Sequence, residues 1–139
     1  GEITGTASVT DGDTIDIRGE TVRLEGIDAP ESEQTCVRGG GRWRCGRAAT
    51  QLLEDAIGGR TVRCEYDQRG RYGRLIGTCY LGDGNVNAWM VAKGYALAYR
   101  RYNRAYVPLE REAEKAGRGI WGGEFVEPWD WRQGERLGR

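Results

Sequence analysis

Acids and an arginine crowd a strand-like stretch near the start of the chain. It reads Asp11-Gly12-Asp13-Thr14-Ile15-Asp16-Ile17, then Val22-Arg23-Leu24-Glu25-Gly26-Ile27-Asp28-Ala29-Pro30-Glu31. Asp13 and Asp28 are candidate ligands of one shared cation. Hard oxygen donors without histidine or thiolate select Ca²⁺ or Mg²⁺ over zinc. An EF-hand does not fit: a loop opened by Asp11 or Asp13 lacks glycine at its sixth position and glutamate at its twelfth. Two carboxylates are few for a tight site, so water, a backbone carbonyl and a substrate phosphate must complete it, and weak binding without substrate is expected. Glu31 follows Ala29-Pro30, where the proline ring fixes the backbone and can aim a carboxylate at one water, to hold or deprotonate it. Arg23, and Arg74 at the end of Arg71-Tyr72-Gly73-Arg74, can each grip two phosphate oxygens and stay charged at any working pH. Together they would offset charge on a pentacovalent phosphorus. The set suits attack on a phosphate ester.

Each residue alone has a plainer explanation. Asp13 can serve a turn, Asp28 a strand end, and Glu31 can be an exposed loop side chain. Strand arginines commonly face solvent, and that explanation is stronger for Arg63 and Arg71 than for Arg23 and Arg74; Arg71, beside Tyr72, is still kept as a candidate substrate contact. Tyr72, Tyr99 and Tyr102 can stack on a base or sugar, or pack into the core. The run Tyr99-Arg100-Arg101-Tyr102-Asn103-Arg104 can track a nucleic-acid backbone, or form a solvated turn.

Composition narrows the chemistry further. The chain has 139 residues, 21 basic and 21 acidic, and no histidine. Zero formal charge speaks against a protein that merely coats DNA, but not against an enzyme with local basic groups. Absence of histidine excludes Ser-His-Asp and Cys-His nucleophilic sites and histidine-bound zinc; acid–base work falls to Asp, Glu, Lys, Tyr or water. No run reaches membrane-spanning length, so no membrane contact is expected, and no signal peptide is visible. Cys36, Cys45, Cys64 and Cys79 lack Cys-x-x-Cys spacing and allow three pairings. Local pairing, 36–45 and 64–79, is the simplest. Two disulfides imply a periplasmic or extracellular protein; four free thiols are the alternative.

The elements that must position these groups are mostly strands. Residues 2–9, 13–18 and 21–28 alternate or carry β-branched residues, and 61–67 and 73–81 read as a hairpin around Gly70–Gly73. Asp13 shares parity with Ile15 and Ile17, so an acid lies on an apolar face, a cost that a metal would offset. Arg23 and Asp28 differ in parity, and Gly26 is placed to supply the kink that reunites them. Helical spacing covers 46–57, 87–93 with Asn87 as candidate N-cap, and 108–116 with proline in its first turn. Residues 1–121 read as one domain. Residues 122–139 read as an irregular tail whose tryptophans dock on the body. About five strands with three helices fit a five-stranded OB-fold β-barrel flanked by α-helices.

At this point the chain resembles the staphylococcal nuclease (thermonuclease) family. The matching segments are Val9-Thr10-Asp11-Gly12-Asp13-Thr14, Val22-Arg23-Leu24, Gly26-Ile27-Asp28-Ala29-Pro30-Glu31, Tyr72-Gly73-Arg74 and Gly119-Ile120-Trp121, in the family's order across residues 5–121. The resemblance implies the OB barrel with three helices and Ca²⁺-dependent cleavage of DNA and RNA, with single strands preferred and 3′-phosphate products. It implies metal ligation by Asp13, Asp28 and the Ala29 carbonyl, catalysis by Arg23, Glu31 and Arg74, and substrate contacts from Tyr72 and Tyr99. A further family tyrosine is replaced by Arg101 or Tyr102. The loop bearing Cys36, Gly39-Gly40-Gly41 and Cys45 departs from the family's lysine-rich loop, which bears on substrate preference. A monomer is expected. The rival expectation is a non-catalytic oligonucleotide- or protein-binding OB module, and a weaker one is an enzyme for a small phosphodiester.

Overall fold

The computed structural model describes residues 1–101 and 103–138. β1 (Glu2–Asp11) alternates exposed and half-buried residues along its length, the period-two pattern of a strand with one covered face. β2 (Thr14–Ile17) returns antiparallel on β1, and β3 (Glu20–Leu24) antiparallel on β2. β4 (Ile27–Asp28) follows a turn, and β5 (Cys36–Arg38) and β6 (Gly41–Trp43) form a small hairpin. α1 (Cys45–Ile57) precedes the long pair β7 (Thr61–Arg69) and β8 (Leu75–Leu81). The chain continues through β9 (Gly84–Asn85), α2 (Val86–Ala92), β10 (Leu97–Ala98), α3 (Val107–Ala116) and α4 (Pro128–Arg132).

The strand order β3-β2-β1-β7-β8 is closed by parallel pairing of β3 with β8, with Val22 opposite Leu75 and Leu24 opposite Gly77. This closed barrel of five strands plus helices is the expected OB architecture. Its interior is filled by Ile15, Ile17, Val22, Leu24, Val62 and Leu75, capped by Leu53 and Ile57 of α1 and Met90 of α2. Cys64 and Cys79 stand opposite one another on β7 and β8 and are disulfide-bonded; Cys36 and Cys45 form the second bond. The local pairing read from the sequence is therefore the one formed.

A second, smaller cluster contains Cys36, Cys45, Leu97 and Ile120, with Trp43, Trp121, Phe125 and Trp129 packed against it. This cluster seats the C-terminal segment. Val37 and Glu124 exchange backbone hydrogen bonds, and the buried Gln34 donates its amide to the Val126 carbonyl at 2.6 Å. The tail is therefore not wholly irregular: Pro128 begins a short helix, where its missing N–H is no loss. One cap is also corrected. Asn85, not Asn87, caps α2, accepting from the Ala88 N–H at 2.9 Å. Asn87 lies inside the helix, fully buried, and ties Cys79 N–H, the Glu25 carbonyl and the Gly77 carbonyl together.

Two glycines set the approach of α1 to the acid-bearing loops. A Cβ on Gly12 would meet the methyl groups of Ala29 and Ala49 at 2.8 and 2.9 Å, and one on Gly46 would run into the Glu31 carbonyl. By contrast, Gly39 and Gly40 at the tip of the β5–β6 hairpin have positive φ and nothing nearby.

Candidate active site

The barrel brings Asp13, Arg23 and Asp28 together. Asp13 sits where the turn after β1 enters β2, and Leu24 N–H donates to its carbonyl at 2.8 Å, which locks the turn to β3. The residue is 6% exposed, and both its oxygens are held: Oδ2 accepts from Ala29 N–H at 2.7 Å and Oδ1 from the Thr14 hydroxyl at 3.0 Å. Asp28 is 0% exposed. Arg23 reaches both acids, with Nη1 3.1 Å from Asp13 and Nη2 3.6 Å from Asp28. The parity mismatch is resolved as expected. Gly26 adopts φ +83°, a left-handed conformation that glycine takes without cost, and turns β3 into β4.

Asp11 belongs to this group and was missed. Its Oδ1 accepts from Asp13 N–H at 3.1 Å, and burial together with the Asp13 charge pushes its carboxyl up to about 7. Burial also opposes ionisation of Asp13, but Arg23 and the hydrogen bonds it accepts outweigh that and hold it below the ordinary carboxylate range. Of the two neighbours, Asp13 is thus the more readily ionised and Asp11 the less. The Asp11-Gly12-Asp13 run is the available signal; the sequence offers Asp11 as the opening of an EF-hand-like loop that its later positions do not complete. For Asp28, burial dominates and raises the carboxyl to about 6 against the pull of Arg132.

Arg132, at the end of α4, is the larger omission. Its Nη2 lies 2.8 Å from Asp28 Oδ2 and its Nη1 3.0 Å from Oδ1, a forked contact, while Nη1 also lies 2.6 Å from Glu31 Oε2. Hydrogen bonding to Asp28 raises its pKa further above the ordinary guanidinium value. Pro-Trp-Asp-Trp-Arg carries a helix-start signal in its proline, but nothing local in it points to an acid 104 positions earlier.

These groups line a cavity of about 580 Å³ that also takes in Glu31, Arg71, Arg74 and Tyr99. Arg74 Nε is buried without a hydrogen-bond partner among the described residues, a donor that an anionic oxygen would satisfy. Ala29 is buried and contributes its N–H to Asp13. Tyr72 does not join the lining; it is 92% exposed, on a turn with φ +65°. Tyr99 stacks face to face on Trp129, ring centroids 5.3 Å apart. In the basic run, Arg100 is tied to the buried Glu110 at 2.7 Å, whereas Arg101 and Arg104 are exposed. Tyr102 lies outside the described residues.

The donor set fits a hard divalent cation. Asp13 and Asp28 offer carboxylate oxygens with no soft ligand nearby. Among the described residues no group of three or more acidic or thiol side chains stands at metal-holding spacing, so an ion would keep several waters.

Comparisons with known proteins bear on the family. The family described as staphylococcal nuclease homologue matches residues 21–123. The chain is 41% identical to an uncharacterized endonuclease of Escherichia coli O157:H7, across 89% of this chain and 80% of that protein. It is 34% identical to a micrococcal nuclease of Shigella flexneri, across 92% and 79%. A succinoglycan biosynthesis protein of Rhizobium meliloti is 42% identical across 86% of this chain, which spans 64% of that longer protein. With barrel, acids and arginines in place and the family matched over most of its length, the chain belongs to the staphylococcal nuclease family.

Proposed function

We propose that this protein is a Ca²⁺-dependent nuclease that hydrolyses single-stranded DNA and RNA with little sequence preference and leaves 3′-phosphate ends. The observation that carries this is the Asp13–Arg23–Asp28 bridge at a cavity that also holds Glu31 and Arg74. Asp13 and Asp28, with the Ala29 carbonyl, would hold the ion. When bound, the ion supplies positive charge to the scissile phosphate. Glu31 holds the attacking water and accepts or passes on its proton as oxygen bonds to phosphorus. Arg23 offsets the charge that builds on the equatorial oxygens. Arg74, with its buried Nε lacking a partner among the described residues, faces the same need and assists departure of the 5′-oxygen as the P–O5′ bond breaks. Tyr99 and Arg71, both on the cavity wall, would position the strand; Tyr72 and Tyr102 remain candidate contacts. The two disulfides suit work in an oxidising compartment, periplasmic or extracellular. A monomer is proposed.

The test is cleavage of an end-labelled single strand with Ca²⁺ or with EDTA, with identification of the new ends. Calcium-dependent release of 3′-phosphates is expected. A strand bound but never cut would instead support the non-catalytic binding module.

A further inference from the structure

The forked contact of Arg132 has a meaning for ion binding. Both Asp28 oxygens are engaged by its guanidinium, at 2.8 and 3.0 Å, and the same Nη1 holds Glu31 at 2.6 Å. These are two of the three acids that the nuclease reading needs, one for the ion and one for water. The contact is built, since the segment carrying Arg132 is fastened at three earlier points: Glu124 pairs with Val37, the Val126 carbonyl accepts from buried Gln34, and Trp129 stacks on Tyr99.

We infer that Arg132 is a built-in counter-ion that occupies the cation's place on Asp28, holds Glu31 meanwhile, and releases both when a divalent ion binds; this inference rests on the Ca²⁺-dependent reading above. A carboxylate oxygen has a second lone pair, so shape alone leaves room for both partners. Charge decides the outcome. A dication and a guanidinium on one carboxylate repel strongly where water is largely excluded, and Asp28 is fully buried. Arg23 already contributes one positive charge between Asp13 and Asp28, so a dication and Arg132 together would crowd three cationic groups against these two carboxylates. Arg132 is the member that can leave: its side chain is 37% exposed, against 16% for Arg23. The ion-free site is thereby kept neutralised, and the carboxylates stay aimed without a metal. Release of Arg132 also frees Glu31 to hold its water. A monovalent ion brings too little charge to displace a fork that makes two hydrogen bonds, so the arrangement favours divalent ions. Arg132 acts here through Asp28 and Glu31 and is a positioning residue.

The test measures ion binding without nucleic acid. Calcium is titrated calorimetrically into the full chain and into Arg132→Gln and Arg132→Lys. The neutral variant is expected to bind about tenfold tighter than the unaltered protein, within the range of ordinary site-to-site couplings, and the lysine variant, which keeps charge but loses the fork, to fall between. In the unaltered protein, the guanidinium NMR signal of Arg132, assigned by its loss in Arg132→Lys, is expected to move as calcium is added. Equal or weaker binding by Arg132→Gln, or a guanidinium signal that stays fixed while the ion binds, would overturn this inference alone. Should Arg132→Gln not fold, the guanidinium signal decides. No calcium binding by any of the three would overturn the calcium reading and this inference with it.

Discussion

The two walls of the site are built by different means. The barrel wall, with Asp13, Arg23 and Asp28, is set by strand register: β2 on β3, β3 on β8, and a glycine turn at Gly26. The tail wall, with Trp129 and Arg132, is set by side chains laid over a satellite cluster around Cys36–Cys45. The first wall rests on many backbone hydrogen bonds that share the cooperativity of the whole barrel. The second rests on fewer contacts, and local opening there is the expectation.

The largest effect expected of this contrast is on turnover. Arg74→Ala should lower the cleavage rate by about 10²–10³-fold with saturating Ca²⁺, as removal of one transition-state donor does elsewhere. Its melting temperature should stay near that of the unaltered protein. A rate within a few-fold of the original would remove Arg74 from its assigned role.

Next come the two disulfides, one in each wall. Loss of Cys64–Cys79 should cost about 3 kcal/mol of global stability, on the loop-entropy estimate for its 15-residue separation, read as a lower urea midpoint. Loss of Cys36–Cys45 should instead speed hydrogen exchange in residues 120–133 before the barrel amides respond. Uniform exchange across both walls would show that they do not open separately.

Protonation sharpens the barrel side. Asp11, at about 7, and Asp28, at about 6, are raised above their unfolded values, so the stability they contribute is complete below the ordinary carboxylate range and is lost as pH rises through 6 and 7. Asp13, held low, acts in the opposite sense and loses its contribution only at acid pH. In EDTA the urea midpoint should fall between pH 4 and pH 7. Asp11→Asn should flatten the upper part of that fall; an unchanged profile would rule out a raised Asp11 carboxyl as its cause.

The smallest effect is on the tail. Trp129→Ala removes the stack on Tyr99 and should cost about 1 kcal/mol beyond lost area. Hydrogen exchange in residues 124–133 should rise while β1 to β3 stay protected. Equal loosening of β1 to β3 would mean that the tail braces the barrel itself.

The same division explains what could be read from sequence. Period-two and helical spacing located β1 to β3, β7, β8 and three helices to within a few residues, because each pattern repeats several times in its own segment. Arg23 and Asp28 could be joined because one glycine lay between them. Arg132 could not be placed, since a contact to Asp28 across most of the chain leaves no local trace. Asn87 was misread for a related reason: an asparagine at a helix start resembles a cap, and its three buried partners come from other elements. The hairpin of β5 and β6 looked like a loop because strands of three residues are too short for alternation to register.

The segment between Glu31 and α1 is clamped at its foot and free at its crown. Gly46 admits no side chain against the Glu31 peptide, whereas Gly39 and Gly40 meet only solvent. An insertion or deletion at the crown should therefore leave the Glu31 backbone in place, and a recognition peptide grafted there would leave the barrel intact.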